Sequence, residues 1–274
     1  MKPPVSDYVR PETVAEAVAA HAAAGDARYL AGGQSLLAAL NLRLDSPDLL
    51  IDISRIAALR GVRREGDRIV IGAMTRHAEI AADPLVSRYL PLLVQAVGHV
   101  AHPAIRNRGT IGGSLALADP AAEMPACALA LSANLEVAGP RGTRTIAGDE
   151  FFRGTYQTAL TEGEILTAIV IPIPDSAARP GFAELARRKG DYAMTGLAMM
   201  AGPAPRIVWF ALSDRPVRAL RAEAALAEGK GAGIVADLAT SGISVTSDQN
   251  ASPDVKRHYA RVLLSRALKD LGLP

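Results

Sequence analysis

Two glycine pairs are the residues of this chain best suited by type and spacing to do chemistry. Gly32-Gly33 and Gly112-Gly113 stand about 80 residues apart, each after a strand-like apolar segment. Hydroxyl side chains lie close by, Ser35 beside the first pair and Thr110 and Ser114 around the second. Glycine lets a backbone approach a ligand closely and turn its N–H groups toward it, and a helix N-terminus behind the turn adds positive potential. Such turns suit a pyrophosphate, although either pair alone is more often a plain chain reversal. Neither forms the Gly-x-Gly-x-x-Gly of a dinucleotide fingerprint, and no Gly-Lys-Ser/Thr phosphate loop occurs. Gly229-Lys230-Gly231-Ala232-Gly233 follows a helix and serves as a linker.

Other chemistries are poorly supplied. His21, His77, His99, His102 and His258 show no zinc-ligand spacing with a carboxylate or thiolate nearby, and His99-x-x-His102 ends at Pro103, which breaks any shared helical face. The sequence therefore offers no metal site and no catalytic residue of its own, and Gly33-Gln34-Ser35 lacks the second glycine of a hydrolase elbow. The single cysteine, Cys127, excludes an intrachain disulfide framework and is too few for an iron–sulfur cluster. Thirty basic against 28 acidic residues, spread without a long run, argue against a nucleic-acid partner. No charge-free stretch of 18 apolar residues exists, and the segment Met1 to Arg10 lacks a signal-peptide core, so a cytoplasmic protein without a membrane span is expected.

The elements that must carry the turns follow from periodicity. A helix with Pro11 in its first turn carries Val14, Ala17, Val18 and His21 and stops at Gly25; a strand at 28–31 then runs into Gly32-Gly33, and a helix follows with Leu36, Leu37, Leu40 and Leu44 on one face. Strands are predicted over 49–53 and 68–72, then a helix from Thr75 and a longer one over 85–98. The second glycine turn precedes a helix predicted over 120–132, with Pro120 at its start. Strands over 135–138, 144–147 and 165–171 break strict βαβ alternation, which indicates an α+β class. Pro172, Pro174 and Pro180 bracket a linker to a C-terminal lobe with strands over 182–188, 193–201 and 206–212. Its last helix has a Ser252 cap and Pro253 at its first position.

Read together, these segments resemble a known family. Ala31-Gly32-Gly33-Gln34-Ser35-Leu36-Leu37, then Arg106-Asn107-Arg108-Gly109-Thr110-Ile111-Gly112-Gly113-Ser114 and Ala118-Asp119-Pro120-Ala121-Ala122-Glu123, look like the FAD signature of the flavin subunits of molybdenum hydroxylases. That family includes carbon monoxide dehydrogenase and xanthine dehydrogenase. Leu50-Ile51-Asp52-Ile53, Ile71-Gly72-Ala73-Met74-Thr75, Glu164-Ile165-Leu166 and Arg187-Arg188-Lys189-Gly190-Asp191-Tyr192-Ala193 agree in order and spacing over nearly the whole chain.

The resemblance implies a vanillyl-alcohol oxidase-type (p-cresol methylhydroxylase-like) FAD-binding fold with two N-terminal α/β lobes and a C-terminal antiparallel sheet plus helices. Residues 1–174 would form the FAD-binding domain, with lobes at about 1–57 and 58–174, and residues 175–274 the C-terminal lobe. It also implies a site. The backbone of Ala31, Gly32, Gly33, Gln34, Ser35 and Leu36 and of Thr110, Ile111, Gly112, Gly113 and Ser114 would hold the pyrophosphate and ribityl chain. Glu123 would meet ribityl or ribose hydroxyls, although an acidic residue early in a helix is equally explained by the macrodipole. Leu166 and Tyr192 would lie near the isoalloxazine, the bland alternatives being strand core and a core tyrosine. Arg106 and Arg108 would offset phosphate charge, face a partner or lie in a solvated loop. Residues 199–207 are several residues shorter than the family pattern, so a trimmed flavin cover is expected.

The family's division of labour implies a medium subunit that works with a molybdopterin-binding large subunit and a [2Fe–2S] small subunit, as a dimer of heterotrimers. Its non-covalent FAD would accept electrons from the clusters and pass them to NAD⁺, a quinone or oxygen. One rival is a non-catalytic FAD-binding accessory or assembly protein. A second, a stand-alone flavin oxidase, lacks a covalent attachment site and a substrate domain of adequate size. The substrate is not legible, because the large subunit reads it.

Overall fold

Thr13 starts the first helix rather than Pro11: its hydroxyl accepts from the Glu16 N–H and Glu16 reaches back, a capping box that fixes the N-terminus. The structure, a computed structural model, describes residues 3, 4 and 6–273. Part of the segment Met1 to Arg10, for which no signal core was expected, lies outside the described residues. In the first lobe, β1 (Asp7–Val9), α1 (Val14–Ala23), β2 (Ala27–Leu30), α2 (Leu36–Asn41) and β3 (Leu49–Asp52) form a parallel sheet of order β1-β3-β2. Leu44 does not continue the face of α2. Arg43 takes a left-handed φ of 59°, the Leu44 N–H turns back to the Ala39 carbonyl, and Leu44 is left 77% exposed.

The second lobe is an antiparallel sheet of order β4-β5-β10-β6-β7. Its strands are β4 (Val62–Glu65), β5 (Arg68–Gly72), β6 (Asn134–Gly139), β7 (Gly142–Ala147) and β10 (Ile165–Pro172), with a small ribbon of β8 (Phe152–Gly154) and β9 (Gln157–Thr158) beside it. Between β5 and β6 run α3 (His77–Ala82), α4 (Pro84–Tyr89), α5 (Pro91–Val97), α6 (Pro103–Arg106), α7 (Ile111–Leu117) and α8 (Glu123–Ala130); α9 (Gly148–Phe151) follows β7. The single helix expected over 85–98 is two. Pro91 has no N–H to continue the ladder and sets Leu90 at φ −130°, ψ 50°, so α5 starts anew on the proline. The helix expected from Pro120 begins at Glu123, because α7 has already used residues 111–117 and Ala118 closes it in a left-handed conformation.

The C-terminal lobe is an antiparallel sheet of β11 (Arg179–Ala186), β12 (Ala193–Ala201), β13 (Arg206–Phe210) and β14 (Val217–Arg218), in that order, backed by α10 (Leu220–Ala227), α11 (Ala232–Asp237) and α12 (Pro253–Asp270). Ser252 caps α12, accepting from the Val255 N–H. One core joins Ile69, Ile71, Leu93, Leu115, Met124 and Leu129 of the second lobe to Ala198, Met200, Val208 and Phe210 of the third, with α5 and α8 between the two sheets. A second core joins Ile51, Ile53 and Ile56 to Leu59, Met74 and Ile165, seating the first lobe on the second. The molecule is thus a mixed α/β assembly with two N-terminal lobes and a C-terminal antiparallel sheet backed by helices.

Candidate functional site

The first glycine turn is a row of unused donors. Gly33 sits at φ +74°, a left-handed conformation that costs glycine nothing. Among the described residues, the N–H groups of Gly33, Gln34, Ser35 and Leu36 meet no protein acceptor, and the Ser35 hydroxyl makes no cap bond to α2. Successive free N–H groups at such a turn form a concavity for an anion. Those donors fit a pyrophosphate without any lysine or arginine having to be brought to it.

The second turn is built differently from the expected loop. Thr110 is an N-cap whose hydroxyl accepts from the Gly113 N–H at 3.1 Å, so Gly112, Gly113 and Ser114 already form the first turns of α7. The Gly112 N–H donates to the Ala73 carbonyl at 2.9 Å, and a Cβ on Gly112 would lie 2.6 Å from that oxygen. Likewise a Cβ on Gly32 would collide with the Arg108 carbonyl. These two glycines are demanded first by backbone packing, which draws the two turns together, and only through that by a ligand.

Ala31 to Leu36, Thr110, Gly112, Gly113, Ser114, Glu123, Leu166 and Tyr192 all line one cavity of about 530 Å³. Ile111 does not. It is 2% exposed and packs in the central core with Leu115 of the same helix. Tyr192 is 71% exposed at the cavity wall, which removes the reading of a core tyrosine. Leu166 serves both readings: it is a buried strand residue of β10 and also borders the cavity. Arg106 donates to the Val100 and Ala101 carbonyls at 2.7 and 3.0 Å and so holds a loop in shape.

Charge in the cavity is concentrated at the end bearing Tyr192. Burial pushes the Glu123 carboxyl up to about 7, the nearby Glu184 and Asp119 carboxylates adding to the rise and His99 opposing it. Glu184 is itself nearly buried and pairs with His99 Nδ1 at 3.2 Å, which raises the imidazole above its ordinary value. Glu123 is therefore a carboxyl poised between donor and acceptor at neutral pH. Also on the cavity wall, Glu164 is held down to about 2 by the bidentate Arg144 guanidinium, both bonds 2.7 Å. Tyr29 donates to the Gly163 carbonyl at 2.9 Å and stacks near His21.

The sequence did not single out Tyr29, Met74, His77, His102 or Asp119 as cavity residues, yet all line it. For Met74 and Asp119 the signal was adjacency, since both lie inside segments that carried the family pattern. None of residues 199–207 lines the cavity; their tight hairpin, in which Met200 pairs with Arg206, lies at the end of β12 remote from Tyr192. The shortened segment thus leaves the cavity wall intact, and the expected trimming of the cover is not found. Among the described residues no cluster of three metal-ligating side chains occurs, and no helix is long and apolar enough to cross a membrane.

Residues 4–174 match the model of the FAD-binding domain in molybdopterin dehydrogenase. The chain is 38% identical to the carbon monoxide dehydrogenase medium chain of Hydrogenophaga pseudoflava, covering 98% of this chain and 97% of that one. The solved structure of carbon monoxide dehydrogenase from that organism, in a form lacking the Mo-pyranopterin moiety, superposes with a TM-score of 0.94 over 98% of each chain. Quinoline 2-oxidoreductase from Pseudomonas putida 86 superposes with a TM-score of 0.93 at 37% identity, again over 98% of each chain.

Proposed function

This chain belongs to the FAD-binding family of the molybdopterin dehydrogenases, and from that footing we propose that it takes electrons from iron–sulfur clusters on a partner chain and passes them to an external acceptor. It is the FAD-binding medium subunit of a molybdenum hydroxylase, an oxidoreductase component. The observation that carries the site assignment is the single cavity that runs from the free N–H groups of 33–36 to Glu123, Leu166 and Tyr192.

We assign the pyrophosphate to the N–H groups of Gly33 to Leu36 and to the hydroxyls of Ser35, Thr110 and Ser114. Glu123 binds a ribityl hydroxyl, either accepting or, when protonated, donating. Leu166 and Tyr192 border the ring, and the Tyr192 side chain limits access of water and oxygen to one face. When bound, the flavin supplies one- and two-electron transfer; the chain supplies position and electrostatics. Residues 1–174 form the FAD-binding domain and 175–274 a lobe that contributes the segment 190–192. Molybdopterin and the [2Fe–2S] clusters reside on large and small partners, in a dimer of heterotrimers. The sole thiol, Cys127, is fully buried and suits a packed core in a cytoplasmic protein rather than a cluster.

The test is the chain purified alone. One FAD per chain, reducible by dithionite, with neither iron nor molybdenum and no hydroxylase activity, is the expected result. Stoichiometric iron in the isolated chain, or a colourless chain that takes up no FAD, refutes the assignment.

A further inference from the structure

We propose that His77 is a further ligand of the bound dinucleotide, its neutral imidazole donating an Nε2–H hydrogen bond to a phosphate oxygen held between the two glycine turns. His77 opens α3, its main-chain N–H donating to the Gly109 carbonyl at 3.0 Å. Its ring lies against Gly109, where an added Cβ would stand 3.0 Å from Cδ2 and 3.5 Å from Nε2. Gly109 in turn abuts Gly32, so the imidazole sits where the two turns converge. The side chain is 4% exposed and lines the cavity.

Neither ring nitrogen is used by the protein. Nδ1 is sealed and has no hydrogen-bond partner among the described residues; Nε2 is not among the sealed atoms and has no protein partner there either. Buried side chains normally satisfy the nitrogens that can reach a partner, so an imidazole whose unsealed Nε2 has no protein partner beside an anion cradle points to a missing one at that atom. Burial first, and then the Arg106 cation, hold its pKa down to about 4, which leaves a neutral ring with one proton to place. A proton on the sealed Nδ1 would have no acceptor, whereas Nε2 is not among the sealed atoms. The proton therefore belongs on Nε2, toward the cavity, where a neutral donor adds to the free N–H groups of the first turn.

The inference rests on FAD lying along this cavity, and the two readings separate in one experiment. The full chain, ¹⁵N-labelled and stripped of flavin, is followed by NMR at pH 7 while FAD, and separately ADP as a bare adenosine pyrophosphate, is added. The Gly33 and Gly113 amides report the cradle, and the His77 imidazole nitrogens report the ligand. The expected result is an Nε2–H tautomer before loading and movement of Nε2 together with both amides after it. Amides that move while the imidazole stays still overturn the role of His77 and keep the cradle; no movement of either overturns both. In parallel, His77→Leu should weaken FAD binding roughly ten- to hundredfold, the range for one hydrogen bond to a charged group, and His77→Gln, which returns a donor near the Nε2 position, should recover most of it. Equal affinities for Leu and wild type, or a Gln variant no better than Leu at matched melting temperature, also overturn the proposal.

Discussion

Glu123→Gln isolates a cavity carboxyl whose pKa is strongly raised and makes a signed prediction about pH. Glu123 is partly buried behind the cavity wall, and its pKa rises from 4.5 to about 7 through burial, helped by Glu184 and Asp119 and resisted by His99. A raised pKa means that folding favours the protonated form. The associated stability is fully present below about 4.5, declines as pH rises through the window from 4.5 to 7, and is absent above it. At 1.36 kcal/mol for each tenfold change in proton affinity, the full span corresponds to about 3 kcal/mol, and water entering from the cavity reduces it to about 2 to 3. Glutamine cannot ionise and keeps the neutral shape. Urea unfolding of the flavin-free chain at several pH values between 4.5 and 8 should therefore show wild type losing about 2 to 3 kcal/mol relative to Glu123→Gln as the pH rises. Parallel stability curves for the two proteins across that window would refute the reasoning. So would a wild type that gains on the variant at high pH.

Three further outcomes are expected. Gly112→Val should lower the melting temperature by the equivalent of about 3 kcal/mol, because its side chain meets the Ala73 backbone; unchanged stability with lost FAD would show instead that the glycine serves the ligand directly. Tyr192→Ala should leave stability within about 0.5 kcal/mol, as befits an exposed side chain, while the flavin spectrum shifts and air reoxidation of the reduced chain quickens; an unaltered flavin would remove Tyr192 from the ring. Ser252→Ala should cost about 0.5 to 1 kcal/mol in chemical denaturation, the lower part of the range for an N-cap whose bond is 3.4 Å long, and no measurable cost would mean that Pro253 alone starts α12.

Local chemistry was readable where one residue decides it. The Ser252-Pro253 start of α12 follows directly from its cap, and β5 at 68–72 and β12 at 193–201 from short, largely apolar runs. Pro91 was visible too, but apolar periodicity running through it outweighed the lost N–H, and one helix was expected where two exist. The glycine turns announced a site without saying why each glycine is there. Gly33 is set by its own dihedral angle, a local matter, whereas Gly32 and Gly112 answer to Arg108 and Ala73, which are distant or across a strand end and have no local signature. His77 escaped notice for the same reason: a lone histidine at a helix start is ordinary, and only the fold brings it under Gly109. The substrate stays out of reach, since chains from enzymes named for carbon monoxide and for quinoline superpose on this one almost equally well.

The cores have a consequence for how the chain holds together. The first lobe shares buried contacts with the second, and the second with the third, but no hydrophobic cluster among the described residues joins the first lobe to the third. Their meeting place is the cavity, whose wall takes in both Ala31 to Leu36 and Gly190 to Tyr192. A ligand lying there acts as a clasp between two lobes that otherwise lean separately on a common support. At a hundred to a thousand times its dissociation constant such a ligand adds about 3 to 4 kcal/mol to the folded state. Much of that gain is expected to appear as cooperativity in calorimetry, the loaded chain melting in one step and the flavin-free chain loosening first at one flank. A subunit emptied of FAD would then fray at its edges before its centre fails, and protease nicks would gather in the stretch 42–48, where α2 gives way to loop.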